Sequence, residues 1–586
     1  MSATGEQTAA NDFRLLDGFE HVREWTAGAT EDSDASVSTT DGATGHALKL
    51  SYTFRAAGVA YARRALPLEL SNNFEMAFQI KGHAPKSTFE VKLLDESGAN
   101  VWWKRFPDYE FPEDWTTIRI RRSDISFAWG PITDHDLNTI ANMEFVVVGA
   151  SGDKASVEFD TLEIRTLPDL PLVLPPVVAN AGDALAPAAV DGNSKTIWTT
   201  SKATDLTLDR GYVGELGGLT LRWADGQSPE VMNVALSENG SDWTVPEWQQ
   251  SVGPSSIGTT EYLRMPKAFG RYIRLSMTPA SGGHVGLLDA TVEPPEFGQD
   301  DNRFLLSLAK ETKKGSYSRS FIGEQIYWTI VGVPQGGRAA LLSEDGAMEP
   351  GPGAFSIEPF VIENGSVLSW ADGEHHHSLL DDYLPLPRVH RTHEGVSLEI
   401  TAHRPPIPAG RKGGTDGNAR DVVTRYRVAN TGNTPRALTL ALAIRPMQVN
   451  PPTQTLNLEG GVSRIEKIDW DGSAFHVNGD WSVYPDLKPD QVSLAEFERA
   501  GFPHVHDAIT LIDSQTMLAP GGFGSGVMYF HVDLKPGEVR EVAVVTVLGA
   551  NDGRTPDLDP MAMAAAERAA AEEWREILNQ VDISGP

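Results

Sequence analysis

Histidines and carboxylates, the side chains that could bind a metal or move a proton, are concentrated in one stretch of the sequence. Residues 371–395 read ADGEHHHSLLDDYLPLPRVHRTHEG and contain five of the fifteen histidines. Three of them, His375, His376 and His377, are consecutive. A strand would direct His375 and His377 to one side and His376 to the other, so one metal ion cannot collect all three. Two prolines before His390 disfavour a helix there.

The sequence therefore favours a polar loop over a metal centre in this stretch. It contains no HExxH motif, and with no cysteine in the chain a thiolate zinc site is excluded. We predict that the loop faces a cleft or a partner domain, and contact with a sugar stays open. For the sugar contact the candidate residues are Trp370, His376, Asp382, Tyr383 and His390.

Adjacent carboxylates occur at Asp300–Asp301, Glu344–Asp345 and Asp381–Asp382. Glycoside hydrolysis needs two carboxyl groups about 5–9.5 Å apart across a cleft, which sequence neighbours do not create. A chain with 80 acidic residues contains such doublets by chance. The sequence also lacks a GxSxG elbow and a phosphate-binding loop. We predict no catalytic residue.

Aromatic side chains cluster in a second stretch, at 100–111, which reads NVWWKRFPDYEF. Flat rings beside polar groups are suited to sugars, and the candidate carbohydrate-binding residues are Trp102, Trp103, Arg105, Tyr109 and, further along, Trp129. Adjacent residues of a strand point to opposite faces. At most one of the two adjacent tryptophans can therefore face a ligand, and packing in the core remains the alternative for each ring.

The charge balance excludes some partners. The 586-residue chain has 49 basic and 80 acidic residues, a formal net charge of −31. Such a field repels phosphates and anionic lipid, so we expect neither nucleic acid nor a membrane as a partner. The start, MSATGEQTAANDF, lacks the basic and apolar regions of a signal peptide. The compartment stays open between the cytosol and export with prior removal of a signal.

The elements that must position these residues are strands. Short β-branched and aromatic runs separated by turn residues predict a mainly β fold of three β-sandwiches in series, closed by one helix. The helix is predicted from an alanine- and glutamate-rich segment with Asp557 or Asp559 as its cap. The predicted units are sandwiches at 13–167, 179–295 and 303–550, a proline-rich linker at 168–178, a second linker at 293–302, and the helix at 557–581.

The first block resembles family 11-like carbohydrate-binding modules. The resemblance lies in LLDGFEHVREW at 15–25, DWTTIRIRRSDISFAWGP at 114–131 and VEFDTLEI at 157–164. It implies a jelly-roll sandwich with a structural calcium ion, for which Glu20 (or Asp17) and Asp160 are the candidate ligands. Two or three carboxylates with backbone carbonyls can supply the six to eight oxygens that calcium takes. A strand-end role for Asp160 stays open.

The second block resembles the discoidin domain, also known as the coagulation factor five/eight type C domain. The segments that carry the resemblance are AVDGNSKTIWTT at 189–200, VALSENGSDWT at 234–244 and FGRYIRLSM at 269–277. It implies a galactose-binding-like jelly roll in which Trp198, Trp243 and Arg271–Tyr272 belong to the scaffold. Trp248 is the one candidate ring for a glycan-binding loop, and a spacer role for the domain stays open.

The third block resembles the N-terminal supersandwich of (α/α)6-barrel glycoside hydrolases and phosphorylases. The segments that carry this resemblance lie at 323–350, 379–404 and 425–446, and the predicted helix follows them as a connecting helix does in those enzymes. A six-hairpin barrel needs on the order of 300–400 residues, and 36 remain after residue 550. The resemblance implies an (α/α)6 catalytic domain or subunit as a partner.

These observations predict a non-catalytic, glycan-binding portion or subunit of a carbohydrate-active enzyme, with a poly- or oligosaccharide as its ligand and calcium as its cofactor. The resemblances imply a periplasmic or secreted location. Two alternatives stay open: a self-sufficient glycoside hydrolase or phosphorylase with its site on the third block, and an adhesion protein that uses the same folds.

Overall fold

The computed structural model describes residues 13–580 except 150–151, 153, 247–249, 253–259, 335–337, 407–420, 455–458, 497–514 and 549–554. Within these residues the chain forms five antiparallel sheets and three α-helices. The predicted mainly β fold with a C-terminal helix is confirmed. Single turns of 3-10 helix occur at Val22–Glu24, Arg122–Asp124, Ala186–Ala189 and Arg319–Ile322.

The first domain is a sandwich of two six-stranded sheets. Its strands are β1 (Arg14–Asp17), β2 (Trp25–Ala29), β3 (Ser33–Asp41), β4 (His46–Phe54), β5 (Gly58–Glu69), β6 (Phe74–His83), β7 (Ser87–Leu94), β8 (Val101–Tyr109), β9 (Thr116–Arg121), β10 (Ser126–Trp129), β11 (Thr139–Gly149) and β12 (Ala155–Thr166). Sheet 1 has the order β3-β4-β12-β6-β9, with β1 on β12, and sheet 2 has the order β10-β8-β7-β11-β5-β2. Between the sheets, Phe145 and Phe159 stack with 4.0 Å between ring centroids.

The second domain is a seven-stranded sheet, sheet 3, built around two long strands. Its strands are β13 (Val178–Asn180), β14 (Trp198–Thr200), β15 (Thr204–Trp223), β16 (Val231–Ser237), β17 (Gln250–Val252), β18 (Thr260–Thr278) and β19 (Val285–Glu293). The order is β14-β19-β15-β18-β16, with β13 on β15 and β17 on β18. Trp198 and Trp223 are fully buried, so the predicted scaffold role of Trp198 is confirmed.

Two helices, α1 (Pro295–Gln299) and α2 (Asp301–Lys310), connect the second and third domains. The Asp300 side chain accepts a hydrogen bond from the backbone N–H of Arg303 at 2.8 Å and caps α2. The segment predicted as a linker at 293–302 contains α1 and the start of α2, and Phe297 and Phe304 of these helices are buried in one apolar cluster with Phe523 of the third domain.

The third domain is a large sandwich of two sheets around a single core. Its strands are β20 (Trp328–Val331), β21 (Ala340–Ser343), β22 (Met348–Glu349), β23 (Ser356–Glu363), β24 (Ser366–Leu368), β25 (Glu374–Leu380), β26 (Leu384–His393), β27 (Val396–His403), β28 (Asp421–Asn430), β29 (Arg436–Arg445), β30 (Lys467–Trp470), β31 (Phe475–Val477), β32 (Trp481–Pro485), β33 (Gln491–Glu496), β34 (Gln515–Leu518), β35 (Gly524–Leu534) and β36 (Val539–Leu548). Sheet 4 has the order β20-β21-β22-β23-β29-β35-β33, with β24 on β23, and sheet 5 the order β25-β26-β27-β28-β36-β32-β31-β30-β34.

The last helix, α3 (Pro560–Leu578), begins at the predicted cap. The Asp559 side chain accepts a hydrogen bond from the backbone N–H of Ala562 at 2.9 Å. Ala570 and Ala571 are buried against Leu384 and Leu386 of β26. The helix therefore covers part of the outer face of sheet 5, the face turned away from sheet 4.

Candidate functional site

The histidine-rich stretch forms a strand, so the prediction of a polar loop is wrong. Strand β25 pairs with β26, and His376 lies opposite His390. The predicted side-chain directions are confirmed. His375 contacts Arg319 (2.7 Å between Nε2 and Nη2) and His377 contacts Thr329 (3.1 Å between Nε2 and Oγ1), both on one side of the strand. The stretch is an ordinary edge hairpin of sheet 5.

The five residues predicted for a sugar contact on the third domain do not come together. Trp370 is 5% exposed and donates from its indole to the Tyr317 carbonyl at 2.8 Å, so its prediction as carbohydrate-binding is wrong. It lies beside Arg319, on the side of β25 opposite to His376 and His390. Asp382 is in the turn between β25 and β26, with a φ of 65°, and Tyr383 follows it. Across the described ranges no three His, Asp or Glu side chains are grouped to hold a metal ion.

Arg319 organises the charged groups on this side of the hairpin. Its guanidinium lies 4.3 Å from the Trp370 ring centroid, and its Nε donates to both carboxylate oxygens of Asp345 at 2.9 and 3.0 Å. Burial raises the pKa of Asp345 to about 6, against the opposing effect of Arg319. These groups satisfy one another, which points to a structural role.

In the aromatic stretch, the two adjacent tryptophans point to opposite faces, as predicted. Trp102 is 2% exposed and donates to the His135 carbonyl at 2.9 Å within the core, so its prediction as carbohydrate-binding is wrong. Trp103 points to the outer face of sheet 2, where it meets Trp129 edge to face at 5.2 Å. Trp129 is 46% exposed. Of the pair, Trp103 is the ring that can meet a ligand.

Tyr109, the next candidate residue of this stretch, is partly buried. Its ring packs against Phe89, Phe106 and Phe111, with centroids 5.1–5.8 Å apart. Burial raises the pKa of the Tyr109 hydroxyl. Tyr109 therefore packs at the rim of the core, and its role in binding a sugar stays a prediction.

The outer face of sheet 2 carries two cross-strand rows of polar and aromatic side chains. The first row reads Thr26, Arg63, Glu144, Lys92, Trp103 and Ser126 across six strands. The second row reads Gly28, Tyr61, Val146, Glu90 and Arg105. Three strand spacings of about 4.8 Å separate Tyr61 from Arg105, a span of about 14 Å. This is the length of a short oligosaccharide.

Ion pairs hold the charged groups of this face in place. Glu90 accepts a hydrogen bond from Arg105 Nε at 3.0 Å and lies 3.0 Å from Lys92 Nζ. Glu144 pairs with Arg63, whose guanidinium lies 5.3 Å from the Tyr61 ring centroid. The face thus combines rings with fixed donors and acceptors, the combination that recognises sugar hydroxyls and C–H faces.

Sequence reasoning missed Tyr61, Arg63, Glu90, Lys92 and Glu144. The signal available in the sequence was their alternation with core residues along β5, β7 and β11. The tyrosine ring also lies directly over Gly28, where a Cβ atom would collide with it. Glycine at 28 therefore permits the close approach that seats this ring on the sheet.

The residues predicted for calcium divide into two groups. The Asp17 carboxylate accepts hydrogen bonds from the Phe19 N–H (2.7 Å) and the Trp25 indole (2.8 Å) and pairs with Arg64. The Asp17 carboxylate is therefore already bound by these three groups. Glu20 and Asp160 instead both border the turn between β3 and β4, at 42–45.

Asp160 is fully buried and takes only hydrogen bonds. Its carboxylate accepts from the backbone N–H groups of Thr44 (3.1 Å) and Thr161 (2.7 Å) and from the Thr161 hydroxyl (3.2 Å). Within the described part of the chain no cationic side chain pairs with it. Thr161 has a φ of 50° at a register shift of β12. Glu20 reaches the other side of the turn and contacts His46, 2.9 Å from Nδ1.

The second domain presents scaffold contacts at the residues predicted there. Arg271 pairs with Asp209 at 2.7 Å, and the Arg274 guanidinium lies 4.2 Å from the Trp243 ring centroid. Trp248 lies outside the described residues.

A cavity of about 900 Å³ lies between the first two domains and the proline-rich linker. Two polar contacts join the domains beside it: Arg121 Nη1 donates to the Lys267 carbonyl at 2.9 Å, and Lys267 Nζ donates to the Arg119 carbonyl at 2.6 Å. In its wall, Arg210 is satisfied by three backbone carbonyls and the Tyr212 hydroxyl. The aromatic residue among the described residues that line the cavity is Tyr212, whose ring centroid lies 4.4 Å from the Arg210 guanidinium.

The α-helices of the described chain include none with the length and apolar character needed to cross a membrane.

Comparison with known proteins identifies one part of the chain. Residues 178–289 match the F5/8 type C domain, which confirms the discoidin resemblance. No curated protein matches the chain.

The chain is also similar to solved carbohydrate-binding modules. One is the family 11 module of the cellulosomal cellulase Lic26A-Cel5E of Clostridium thermocellum, with 21% identity over 27% of this chain and 95% of that one and a TM-score of 0.24. A second is the Clostridium thermocellum family 11 module in complex with a β-1,3-1,4-mixed-linked tetrasaccharide (23% identity, 26% and 94% coverage, TM-score 0.22). A third is CpGH89CBM32-5 from Clostridium perfringens in complex with GalNAc-β-1,3-galactose (19% identity, 21% and 99% coverage, TM-score 0.18).

Proposed function

We propose that this chain binds a glycan on the outer face of sheet 2. The observation that carries the proposal is the pair of in-register rows, in which Trp103 and Tyr61 lie three strand spacings apart and two residues apart along the strands, about 16 Å in all. Between the two rings lie Glu90, Lys92 and Glu144, held by ion pairs. Rings at two ends with polar groups between them fit an extended saccharide laid across the strands.

The test is glycan affinity electrophoresis and a glycan array with the full chain. We expect Trp103→Ala to weaken binding about tenfold, the equivalent of about 1.4 kcal/mol of lost ring contact. Trp115→Ala is the matched control, because Trp115 is a partly exposed tryptophan of the same domain that packs with Lys81 of sheet 1. Absence of retention on every polysaccharide would refute the proposal, and so would equal loss in the two variants.

A structural calcium ion between Glu20 and Asp160 is a further part of the proposal. The support is the fully buried Asp160 carboxylate, whose partners among the described residues are N–H and hydroxyl groups without a cation. Backbone carbonyls of the turn at 42–45 would complete the ligand set. Asp17 is left out, since Arg64 and Trp25 occupy it.

We expect Ca²⁺ to raise the unfolding temperature of the first domain in the full chain, and Asp160→Asn to remove the rise. Asp34→Asn, an exposed carboxylate that pairs with Arg55, is the control and retains the rise. A wild-type chain whose unfolding temperature is the same with Ca²⁺ and with a chelator would contradict the calcium site.

We propose, from the resemblance of 303–550, that the glycan-binding chain serves a carbohydrate-active enzyme whose (α/α)6 catalytic domain or subunit packs on the third domain. Ile330 lies in the edge strand β20 and Tyr327 directly precedes it. Their side chains are 60% and 59% exposed and offer apolar surface for the catalytic domain or subunit. Ile330→Asp is expected to abolish co-elution of this chain with the (α/α)6 catalytic subunit in size-exclusion chromatography. Co-elution that survives this change would place the contact elsewhere.

A further inference from the structure

We infer that the ligand of the outer face of sheet 2 is an anionic glycan, whose sugar units carry carboxylate or sulfate groups. The inference rests on the glycan-binding function proposed above and specifies its ligand. Two observations carry the inference: the exposed fractions of the charged side chains on the face, and the guanidinium N–H groups of Arg105 that remain available to a ligand.

The carboxylates form the floor of the face and the cations lie above them. The side chains of Glu90 and Glu144 are 5% and 7% exposed. Their partners Lys92, Arg105 and Arg63 are 14%, 23% and 45% exposed. An approaching ligand therefore meets ammonium and guanidinium groups before it meets a carboxylate.

Arg105 keeps most of its hydrogen-bonding capacity for a ligand. Its Nε donates to Glu90, whereas its two terminal nitrogens have no hydrogen-bond partner among the described residues. A guanidinium has five N–H donors in a planar fork, so four remain, in the geometry that binds a carboxylate or sulfate with two parallel bonds. Its central carbon lies 5.0 Å from the Trp103 ring centroid. An anionic group held by Arg105 would therefore bring its sugar ring against Trp103.

Lys92 places a second positive charge between the rings. Its Nζ lies 5.8 Å from the Trp103 centroid and 5.2 Å from the Trp129 centroid. Three cations against two carboxylates give the two rows a net charge of +1, in a chain whose formal net charge is −31. A neutral glycan would leave this positive layer facing water or hydroxyl groups, whereas acidic sugar units repeated along a chain would neutralise it.

The experiment compares three groups of polysaccharide on the full chain: neutral β-glucans and galactans, uronate polymers such as polygalacturonate and alginate, and sulfated galactans. We expect binding to an acidic group to exceed binding to the neutral group at least tenfold in low salt, and to weaken as salt screens the charges. The uronate and sulfate arms identify which substituent is read.

Arg105→Gln removes the free fork while Lys92 still pairs with Glu90. We expect it to lower affinity for the acidic glycan about tenfold and to flatten the salt dependence. Arg55→Gln is the matched control, since it removes one exposed arginine of the same domain that pairs with Asp34 away from this face.

The outcomes separate the two claims. Binding to neutral glycans that matches or exceeds binding to acidic ones overturns the anionic ligand and leaves the proposed function standing. Acidic binding that Arg105→Gln and Arg55→Gln weaken equally also overturns it, because the attraction would then be nonspecific. Absence of binding to all three groups overturns the proposed function itself.

Discussion

Acid should destabilise the third domain through a single buried histidine, and His403→Leu should remove that effect. His403 ends β27, is 2% exposed, and neither of its ring nitrogens has a hydrogen-bond partner among the described residues. Its cross-strand neighbour Val423 belongs to the apolar cluster that includes Met563 of α3. Burial, with Arg425 adding repulsion, lowers the pKa of His403 from its usual 6.5 to about 4.

The sign and size follow from proton linkage. Because the folded state resists protonation at His403, the unfolded state binds more protons between the two pKa values, so stability is present above pH 6.5 and is lost as pH falls toward 4. At pH 5 the loss is about 2 kcal/mol, and near pH 4 about 3 kcal/mol, at about 1.4 kcal/mol per pKa unit. At pH 7 the leucine variant should be as stable as the wild type or more so, because two unpaired nitrogens are removed.

Denaturant unfolding, followed through the transition of the third domain at pH 7, 6 and 5, measures the effect as a difference between wild type and variant. The difference isolates His403 from groups such as Asp345, whose raised pKa acts with the opposite sign. His376→Leu is the control, since an exposed ring in the same sheet has no burial penalty to release. A wild-type-minus-variant difference that stays constant from pH 7 to pH 5 would refute the reasoning.

Three further changes test contacts elsewhere in the fold. Arg445→Met leaves the buried Glu358 carboxylate without the guanidinium that now lies 2.8 Å from it, and should lower the free energy of unfolding by about 3–5 kcal/mol. The double variant with Glu358→Leu should recover most of this loss in denaturant unfolding, and an equally unstable double variant would contradict the reasoning. Asp559→Ala removes the cap of α3 and should lower the stability of the helix by about 1 kcal/mol, measured as faster hydrogen exchange in its first turn. Asp559→Asn keeps the cap, so equal exchange in the two variants would argue against capping. Trp102→Ala should lower the free energy of unfolding of the first domain by about 3–5 kcal/mol in the same assay, whereas Trp103→Ala should leave that free energy nearly unchanged. Similar losses in the two variants would mean that both rings belong to the core.

Much of the fold could be predicted because local patterns specify it. Alternation along β6 places Phe74, Met76 and Phe78 in the core, and a strand is the structure that gives this period. The last helix could be placed because Asp559, Pro560 and the alanine run are start and propagation signals within one short segment. Such signals need no knowledge of the rest of the chain.

The histidine stretch shows where local patterns end. Proline and aspartate suggest a loop, yet Leu384 and Leu386 alternate with the prolines at 385 and 387 and bury themselves under α3. Asp381 and Asp382 take φ values of 54° and 65° in the turn, and Asp381 pairs with Arg575 of α3 at 2.6 Å. A helix nearly two hundred residues later buries one face of β26 and pairs with the turn, and periodicity within the stretch does not show this.

The candidate site fails to emerge from sequence for a related reason. Alternation limits Trp102 and Trp103 to opposite faces, but it does not say which face is the core. Cross-strand partners decide that: Trp103 lies opposite Lys92, and Lys92 opposite Glu144, on strands whose order in the sheet departs from their order in the sequence. A row of charges that looks scattered along the chain, and is outweighed by a net charge of −31, becomes a local positive layer only when β8, β7, β11 and β5 are neighbours. The ligand that the face selects therefore depends on strand order rather than on composition.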